Sequence, residues 1–313
     1  LDKKFEDLFL NVSIKASLSS YHFVGKKDKI AADKSAVDAM RNKLNEIEMR
    51  GKVVIGEGEL DEAPMLYIGE TLGTMSGPEL DIAVDPLEGT NFAANNQPGA
   101  LSVIAVAEKS NLFSAPETYM NKISANVPSE GIIDLDYSVK KNISNLADYK
   151  NKQPNELSAC ILDRPRHKKI IEELRNLKVN LKLISDGDVS GALLVSDKKY
   201  NIDIFMGIGG GPEGVLAASA LDAFDCFFQG RFIFDNENDV IRAKKLCIDD
   251  LNRKYLLNEI ITGDSIFCAT GITNGDIVSG IKIEENNYIS ETLITHKSTN
   301  LKKIIKSKNE IDE

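Results

Sequence analysis

Leu80-Asp81-Ile82-Ala83-Val84-Asp85-Pro86-Leu87-Glu88-Gly89-Thr90 decides how this chain is read. The apolar run from Leu80 to Val84 predicts a buried strand that stops at an acidic turn. Pro86 fixes one bend, and Gly89 permits a backbone conformation that other residues avoid. Asp85, Glu88 and the Leu87 carbonyl are therefore expected to converge, with the Thr90 hydroxyl nearby at the start of a helix. Clustered carboxylates raise one another's pKa unless a cation offsets the repulsion. Oxygen donors without His or Cys suit Mg²⁺ or Mn²⁺.

The same pattern recurs on both sides. A strand at Lys52 to Ile55 runs into Gly56-Glu57-Gly58-Glu59-Leu60-Asp61-Glu62, and a strand at Ile202 to Met206 runs into Gly209-Gly210-Gly211-Pro212-Glu213-Gly214. Open α/β sheets hold ligands just beyond such strand ends. One acidic turn is usually a solvated loop, but three of them after apolar strands point to metal. The third also matches GxGxxG, yet Pro212 lacks an N–H donor and Glu213 puts negative charge where a pyrophosphate would rest. Dinucleotide binding is thereby excluded, and no GxxxxGK[ST] phosphate loop occurs.

Further out, apolar spacing predicts helices over 5–20 and 28–49. The stripe of the second is Ile30, Val37, Met40, Leu44 and Ile47, and it keeps helical steps only if Asp33 joins the inward face. A carboxylate there is costly unless it is paired or metal-linked. A helix is expected over 62–72 and a strand over 100–107. The second half alternates strands (157–162, 181–184, 202–206) with helices (168–177, 190–195, 213–224), an α/β unit with some parallel strands. A polar stretch suggests a boundary that divides the chain into a metal-binding lobe 1–155 and a substrate-completing lobe 156–313. The Lys- and Asn-rich tail reads as frayed. Asp163-Arg164-Pro165-Arg166-His167 offers two guanidiniums for bidentate phosphate binding. Asp186-Gly187-Asp188 offers acceptors for sugar hydroxyls, and Tyr119 is a weaker contact.

Composition narrows the class. The chain has 313 residues and a formal net charge of -10, which argues against a nucleic-acid surface. No apolar run approaches the roughly 20 residues that span a bilayer. Four cysteines (Cys160, Cys226, Cys247, Cys268) are scattered without a CxxC, as in reduced cytoplasmic proteins. Trp is absent and only three His occur, so histidine-based zinc chemistry is unsupported. The chain starts at Leu1 rather than Met, as a trimmed or processed chain would.

Longer stretches carry a family resemblance. Residues 56–70 (GEGELDEAPMLYIGE), 81–90, Arg164-Pro165-Arg166-His167, Asp186-Gly187-Asp188, 207–214 (GIGGGPEG) and Ala269-Thr270-Gly271-Ile272-Thr273 with Gly275-Asp276 resemble bacterial class II fructose-1,6-bisphosphatases. The resemblance spans nearly the whole chain. It implies the layered α-β-α-β-α fold of the lithium-sensitive sugar phosphatases and metal ligation by Asp33, Glu57, Asp85, Glu88 and Glu213. It implies substrate contact by Glu88, Gly89, Thr90, Tyr119, Arg164, Pro165, Arg166, Asp186, Gly187, Asp188 and Gly210. Thr90, oriented by Asp33, would position the attacking water or accept its proton, and Glu59 or Asp61 would assist with proton traffic. Arg164 stands where relatives carry Lys, and the region 229–239 looks shortened. The expected reaction is metal-dependent removal of the 1-phosphate of fructose 1,6-bisphosphate by a homo-oligomer, dimer or tetramer. Sedoheptulose 1,7-bisphosphate is the nearest alternative substrate. An inositol phosphatase or a catalytically silent sugar-phosphate sensor is disfavoured, the sensor because every expected ligand and Thr90 are present.

Overall fold

The computed structural model describes residues 1–56, 65–128 and 130–311. It separates into two compact units, residues 1–114 with 261–313, and residues 115–260. Elements are named in chain order.

The first unit begins with α1 (Phe5–Tyr21) and α2 (Lys29–Asn45). Asp28 caps α2 by accepting the Ala31 N–H at 2.9 Å, which satisfies one of the orphan donors of a helix start. Then come β1 (Arg50–Ile55), β2 (Thr71–Leu72), β3 (Glu79–Glu88), α3 (Thr90–Ala94) and β4 (Leu101–Glu108). Phe9 and Ile14 of α1 and Val37, Met40 and Leu44 of α2 share one core with Ile82, Val84, Ile104 and Val106 of β3 and β4. Each such side chain contributes roughly 1.5–3 kcal/mol by leaving water. Ile30, expected in the α2 stripe, is 83% exposed, since none of the described residues packs over it on the first turn. The helix expected over 62–72 is absent from the described part of that stretch, residues 65–72. Thr71 and Leu72 pair instead with β1, and Val53 exchanges backbone hydrogen bonds with Gly69 and Glu70, occupying groups that a helix would need.

The second unit holds β5 (Tyr119–Ala125), α4 (Val139–Lys150), β6 (Ser158–Leu162), α5 (Lys168–Asn176), β7 (Asn180–Ile184) and α6 (Asp188–Leu193). It continues through β8 (Ile204–Gly210), α7 (Gly211–Asp222), β9 (Phe227–Ile233), α8 (Glu237–Lys245), β10 (Tyr255–Leu256) and α9 (Leu257–Ile260). The sheet order is β10-β9-β5-β8-β6-β7, with β6 parallel to β7 and β8, and β5 antiparallel to β8 and β9. Strand alternation sends Ile204 and Met206 to one face, against Ile143 and Leu146 of α4 and Leu174 of α5. Phe205 points the other way, under Gly191 of α6. The unit is thus α-β-α.

The chain then returns to the first unit as β11 (Ser265–Gly271), β12 (Lys282–Glu284), β13 (Asn287–His296) and β14 (Leu301–Glu310). There β11 lies between β4 and β13. The tail that reads as frayed is β14, in continuous antiparallel register with β13 from Asn287↔Glu310 to His296↔Leu301. The first unit is thus helices on a sheet and the second is α-β-α, the layer types the resemblance implies. The division differs from the expected one at residue 155. β5 is hydrogen-bonded between β8 and β9, which draws the preceding segment into the second unit, and β11 to β14 complete the first sheet.

Candidate active site

In the first unit the site is built on the end of β3. The strand does not stop at Val84 but runs through Glu88, with a bulge: Asp85 faces Val103 and Glu88 faces Leu101, so Pro86 and Leu87 are accommodated by one partner residue fewer. Bulges of this kind re-aim side chains beside functional sites. Gly89 follows with φ 76°, the left-handed conformation expected of it, and starts α3. Thr90 opens that helix, and its hydroxyl donates to the Leu87 carbonyl at 3.2 Å, leaving the oxygen lone pairs outward. Glu88 is buried. The segment before α2 is tied to α3, because the Gly25 and Lys27 N–H groups donate to the carbonyls of Ala93 and Ala94. On α2, Asp33 is half-buried, and burial lifts its carboxyl to about 6. Arg41, further along α2, grips Glu70 through Nε at 2.7 Å and also donates to the Met65 carbonyl.

Glu57, Glu59 and Asp61 lie outside the described residues. Among the described residues no three Asp, Glu, His or Cys side chains form a metal-holding group. The donor chemistry nevertheless fits a divalent cation: Asp33, Asp85 and Glu88 are oxygen donors, and a carboxylate that burial penalises gains from a nearby positive ion.

The second unit carries a different constellation at the carboxyl ends of β6, β7 and β8. The stretch read as a glycine-rich loop is in fact strand, since Gly207 to Gly210 pair with Lys122 to Tyr119 of β5. Gly209 and Gly210 are required by close approach. A Cβ on Gly209 would strike the Asp188 carboxylate, and one on Gly210 would strike that of Glu213. Between these acids lies Lys122, which is 1% exposed, donating to Asp188 Oδ2 and, at 2.6 Å, to the Gly210 carbonyl. Burial raises the Glu213 carboxyl above its usual range, and the Lys122 ammonium only partly offsets this.

Pro165 opens a single 3₁₀ turn, Pro165–His167, directly after β6. Arg166 spends Nε and Nη2 on the Ile208 carbonyl, at 3.0 and 2.8 Å, and lies 4.9 Å from the Tyr119 ring centroid. Its remaining donors face solvent, as does half of Tyr119. Arg164 stands 3.6 Å from Asp186, and Gly187 turns with φ 83° so that Asp188 can open α6. Two residues received no role in the sequence reading. His167 is buried, with Nδ1–H donating to the Leu162 carbonyl and Nε2 accepting the Ile208 N–H, both at 2.7 Å. Burial holds it below its usual range, so it acts as a neutral brace for the arginine turn. Lys122 was the other. A lone lysine sharing a strand face with Met120 and Ser124 was the available signal.

Within the first unit the structure thus gathers Asp85, Glu88, Gly89 and Thr90 on one strand end. Within the second it gathers Tyr119, Arg164, Pro165, Arg166, Asp186, Gly187, Asp188, Gly210 and Glu213 around neighbouring strand ends.

Comparisons with known proteins bear on this arrangement. Residues 4–309 match the family described as bacterial fructose-1,6-bisphosphatase, glpX-encoded. The chain is 39% identical over 311 residues to the D-fructose 1,6-bisphosphatase class 2/sedoheptulose 1,7-bisphosphatase of Thermosynechococcus vestitus, covering 91% of this chain and 90% of the relative. It is 40% identical over 299 residues to the protein of the same description from Prochlorococcus marinus strain AS9601, with the same coverage. Among solved structures it is similar to the inositol monophosphatase of Anabaena (Nostoc) sp. PCC 7120, at 12% identity and a TM-score of 0.33, over 62% of this chain and 71% of that one. That last likeness is too slight to carry a functional argument. The family match and the identities over nine-tenths of the chain show that it belongs to the glpX-encoded bacterial fructose-1,6-bisphosphatases.

Proposed function

We propose that the protein hydrolyses the 1-phosphate of fructose 1,6-bisphosphate to fructose 6-phosphate and inorganic phosphate. Sedoheptulose 1,7-bisphosphate is a second substrate, favoured by the printed descriptions of the relatives. The observation that carries this reading is the bulged end of β3, where the buried Glu88 and the half-buried Asp85 flank a turn that leads to a threonine hydroxyl fixed at a helix start.

Asp33, Asp85, Glu88, Glu213 and Glu57 are the residues that would hold the divalent cations, Mg²⁺ or Mn²⁺. When bound, such ions supply Lewis acidity and neutralise phosphoryl charge. The oxygen of Thr90 accepts a hydrogen bond from the attacking water and aims it at phosphorus, with Asp33 receiving the proton. The phosphorus–oxygen bond to C1 breaks as the new one forms, and the leaving sugar oxygen takes up a proton from Glu59 or Asp61. Arg164 and Arg166 hold the distal phosphate by charge-assisted hydrogen bonds. Asp186, Asp188 and the Gly210 backbone take the sugar hydroxyls, with Tyr119 against the ring. Phosphomonoester hydrolysis is among the slowest uncatalysed reactions, so positioning and charge must supply most of the rate gain. The scattered cysteines suit a cytoplasmic enzyme. No helix among the described residues is long and apolar enough to cross a membrane.

Phosphate release from fructose 1,6-bisphosphate, measured with Mn²⁺, with Mg²⁺ and with chelator on wild type and Thr90→Ala, tests the reading. Metal-dependent release that collapses in the variant is expected. No release with either metal from folded, sugar-binding protein would overturn it.

A further inference from the structure

The second unit contains a cavity of about 600 Å³ that the proposed reaction does not use. It opens at the amino end of β8, beside Asn201, Ile202 and Asp203, whereas the glycines of the site form the carboxyl end of that strand. Six residue steps along β8 separate the two ends by roughly 20 Å. Asn126, just past the end of β5, lines the cavity as well.

Its walls are basic in a chain whose net charge is -10. The lining holds three lysines, Lys150, Lys152 and Lys198, and one carboxylate, Asp203. That carboxylate is buried and accepts from Lys150 Nζ at 2.8 Å, from Lys152 Nζ at 3.1 Å and from the Ser158 N–H at 2.9 Å. It thus pins two ammonium groups to the cavity wall while neutralising only one of them. Each ammonium has three N–H donors, so both keep capacity for another acceptor. Lys198, exposed on the 3₁₀ turn Lys198–Tyr200, is the third cation. The formal surplus is two positive charges, which matches a phosphomonoester dianion. Besides Asn126 and Asn201, the rest of the lining is apolar or aromatic: Val195 and Ile202 are buried, and Tyr149 shows 47% of its surface at the rim. An exposed tyrosine ring beside a cationic pocket offers a stacking face for a ring-bearing ligand.

We propose that this cavity is a second ligand site, distinct from the catalytic one, that binds a small ring-bearing phosphomonoester dianion through Lys150, Lys152 and Lys198 with Tyr149 against the ring. The phosphate takes the spare ammonium donors, and Asp203 keeps the first two lysines from folding away.

Phenylphosphonate, which carries a ring and a phosphonate dianion that no phosphatase can hydrolyse, is the probe. Its binding is measured by calorimetry in chelator on wild type, Lys198→Glu, Tyr149→Ala and Arg166→Ala, with thermal melts to verify that each variant is folded. The expected result is affinity that falls about tenfold or more in Lys198→Glu, the loss of one charge-assisted contact, and persists in Arg166→Ala. In wild type phenylphosphonate should bind more tightly than inorganic phosphate, and Tyr149→Ala should remove that advantage. Affinity unchanged by Lys198→Glu, binding lost with Arg166→Ala, or no binding at millimolar probe overturns the site. Equal affinity for both probes in wild type overturns the ring-bearing ligand and leaves free phosphate as the occupant.

Discussion

Asp33 in the first unit and Asp188 in the second are both carboxylates expected to act at the site, yet their surroundings differ. Asp33 is pushed up to about 6 by burial, with no lysine or arginine of the described residues acting against that rise. Asp188 has the Lys122 ammonium against it, and Asp186 has Arg164 nearby. Buried carboxylates with built-in cations are already compensated and suit hydrogen bonding to neutral hydroxyls. A carboxylate left to burial alone awaits charge from outside, which is what a metal ligand does. The contrast fits the roles proposed for the two residues, Asp33 serving a cation and Asp188 the sugar hydroxyls.

Substitutions on the two sides should separate accordingly. The largest effect is expected from Asp85→Asn and Thr90→Ala, which should each lower kcat by about a thousandfold, several kcal/mol of lost charge stabilisation or positioning, while the melting temperature stays near wild type. Steady-state kinetics with thermal melts check this, and a variant that melts early instead would blur the contrast. Lys122→Met reverses the pattern. It leaves Asp188 and Glu213 buried without their cation, and urea unfolding should show a loss of roughly 3–5 kcal/mol. Arg166→Ala should raise KM for the bisphosphate by about tenfold with kcat little changed, the mark of a binding contact. Equal loss of kcat and kcat/KM would move Arg166 to the catalytic side.

A smaller effect is tied to pH. Burial raises the Asp203 carboxyl, but Lys150, Lys152 and the Ser158 N–H outweigh it and leave the group below its ordinary 3.8. Its stabilisation is therefore complete above that unfolded value and is lost as pH falls through the lower folded one. The margin of wild type over Asp203→Asn in acid-induced unfolding should hold at pH 5 and above and shrink below about 4. The smallest effect is expected at Ile30. Being 83% exposed, it should tolerate Ile30→Lys within about 0.5 kcal/mol.

Ile30 also marks where sequence reading reaches its limit. Helix phase placed Asp33 inward, and the half-buried Asp33 agrees, but phase says nothing about how far along a helix the packing partner extends. The strand-and-turn chemistry at Asp85 to Thr90 was legible because proline, glycine and clustered carboxylates leave few options there. The bulge that carries it was not, because a bulge is a mismatch with a partner strand that begins at Leu101. Lys122 and β5 went unread for the same reason. An antiparallel strand between β8 and β9 is defined by partners some 80 to 110 residues away in the chain, from Lys122↔Gly207 to Lys122↔Gly230. The tail was misread because alternating lysines look like a solvated coil. On β14 they line a sheet edge, where charge discourages further strands from adding on.

The discontinuity of the first unit has a consequence for how the protein is made. On the ribosome β3 and β4 emerge early, but β11, which must lie against β4, follows only after the whole of residues 115–260 has been synthesised. The second unit is contiguous and can begin to collapse as soon as it emerges, while the half-built first sheet waits with the far edge of β4 open. Pairings such as Ser265 with Ala107 close loops of more than 150 residues, the kind that slow folding most. The carboxylate-bearing strand end at Asp85 to Glu88 therefore gains its full support only in the last act of folding, so premature chain termination should yield a folded second unit beside an unfinished first sheet.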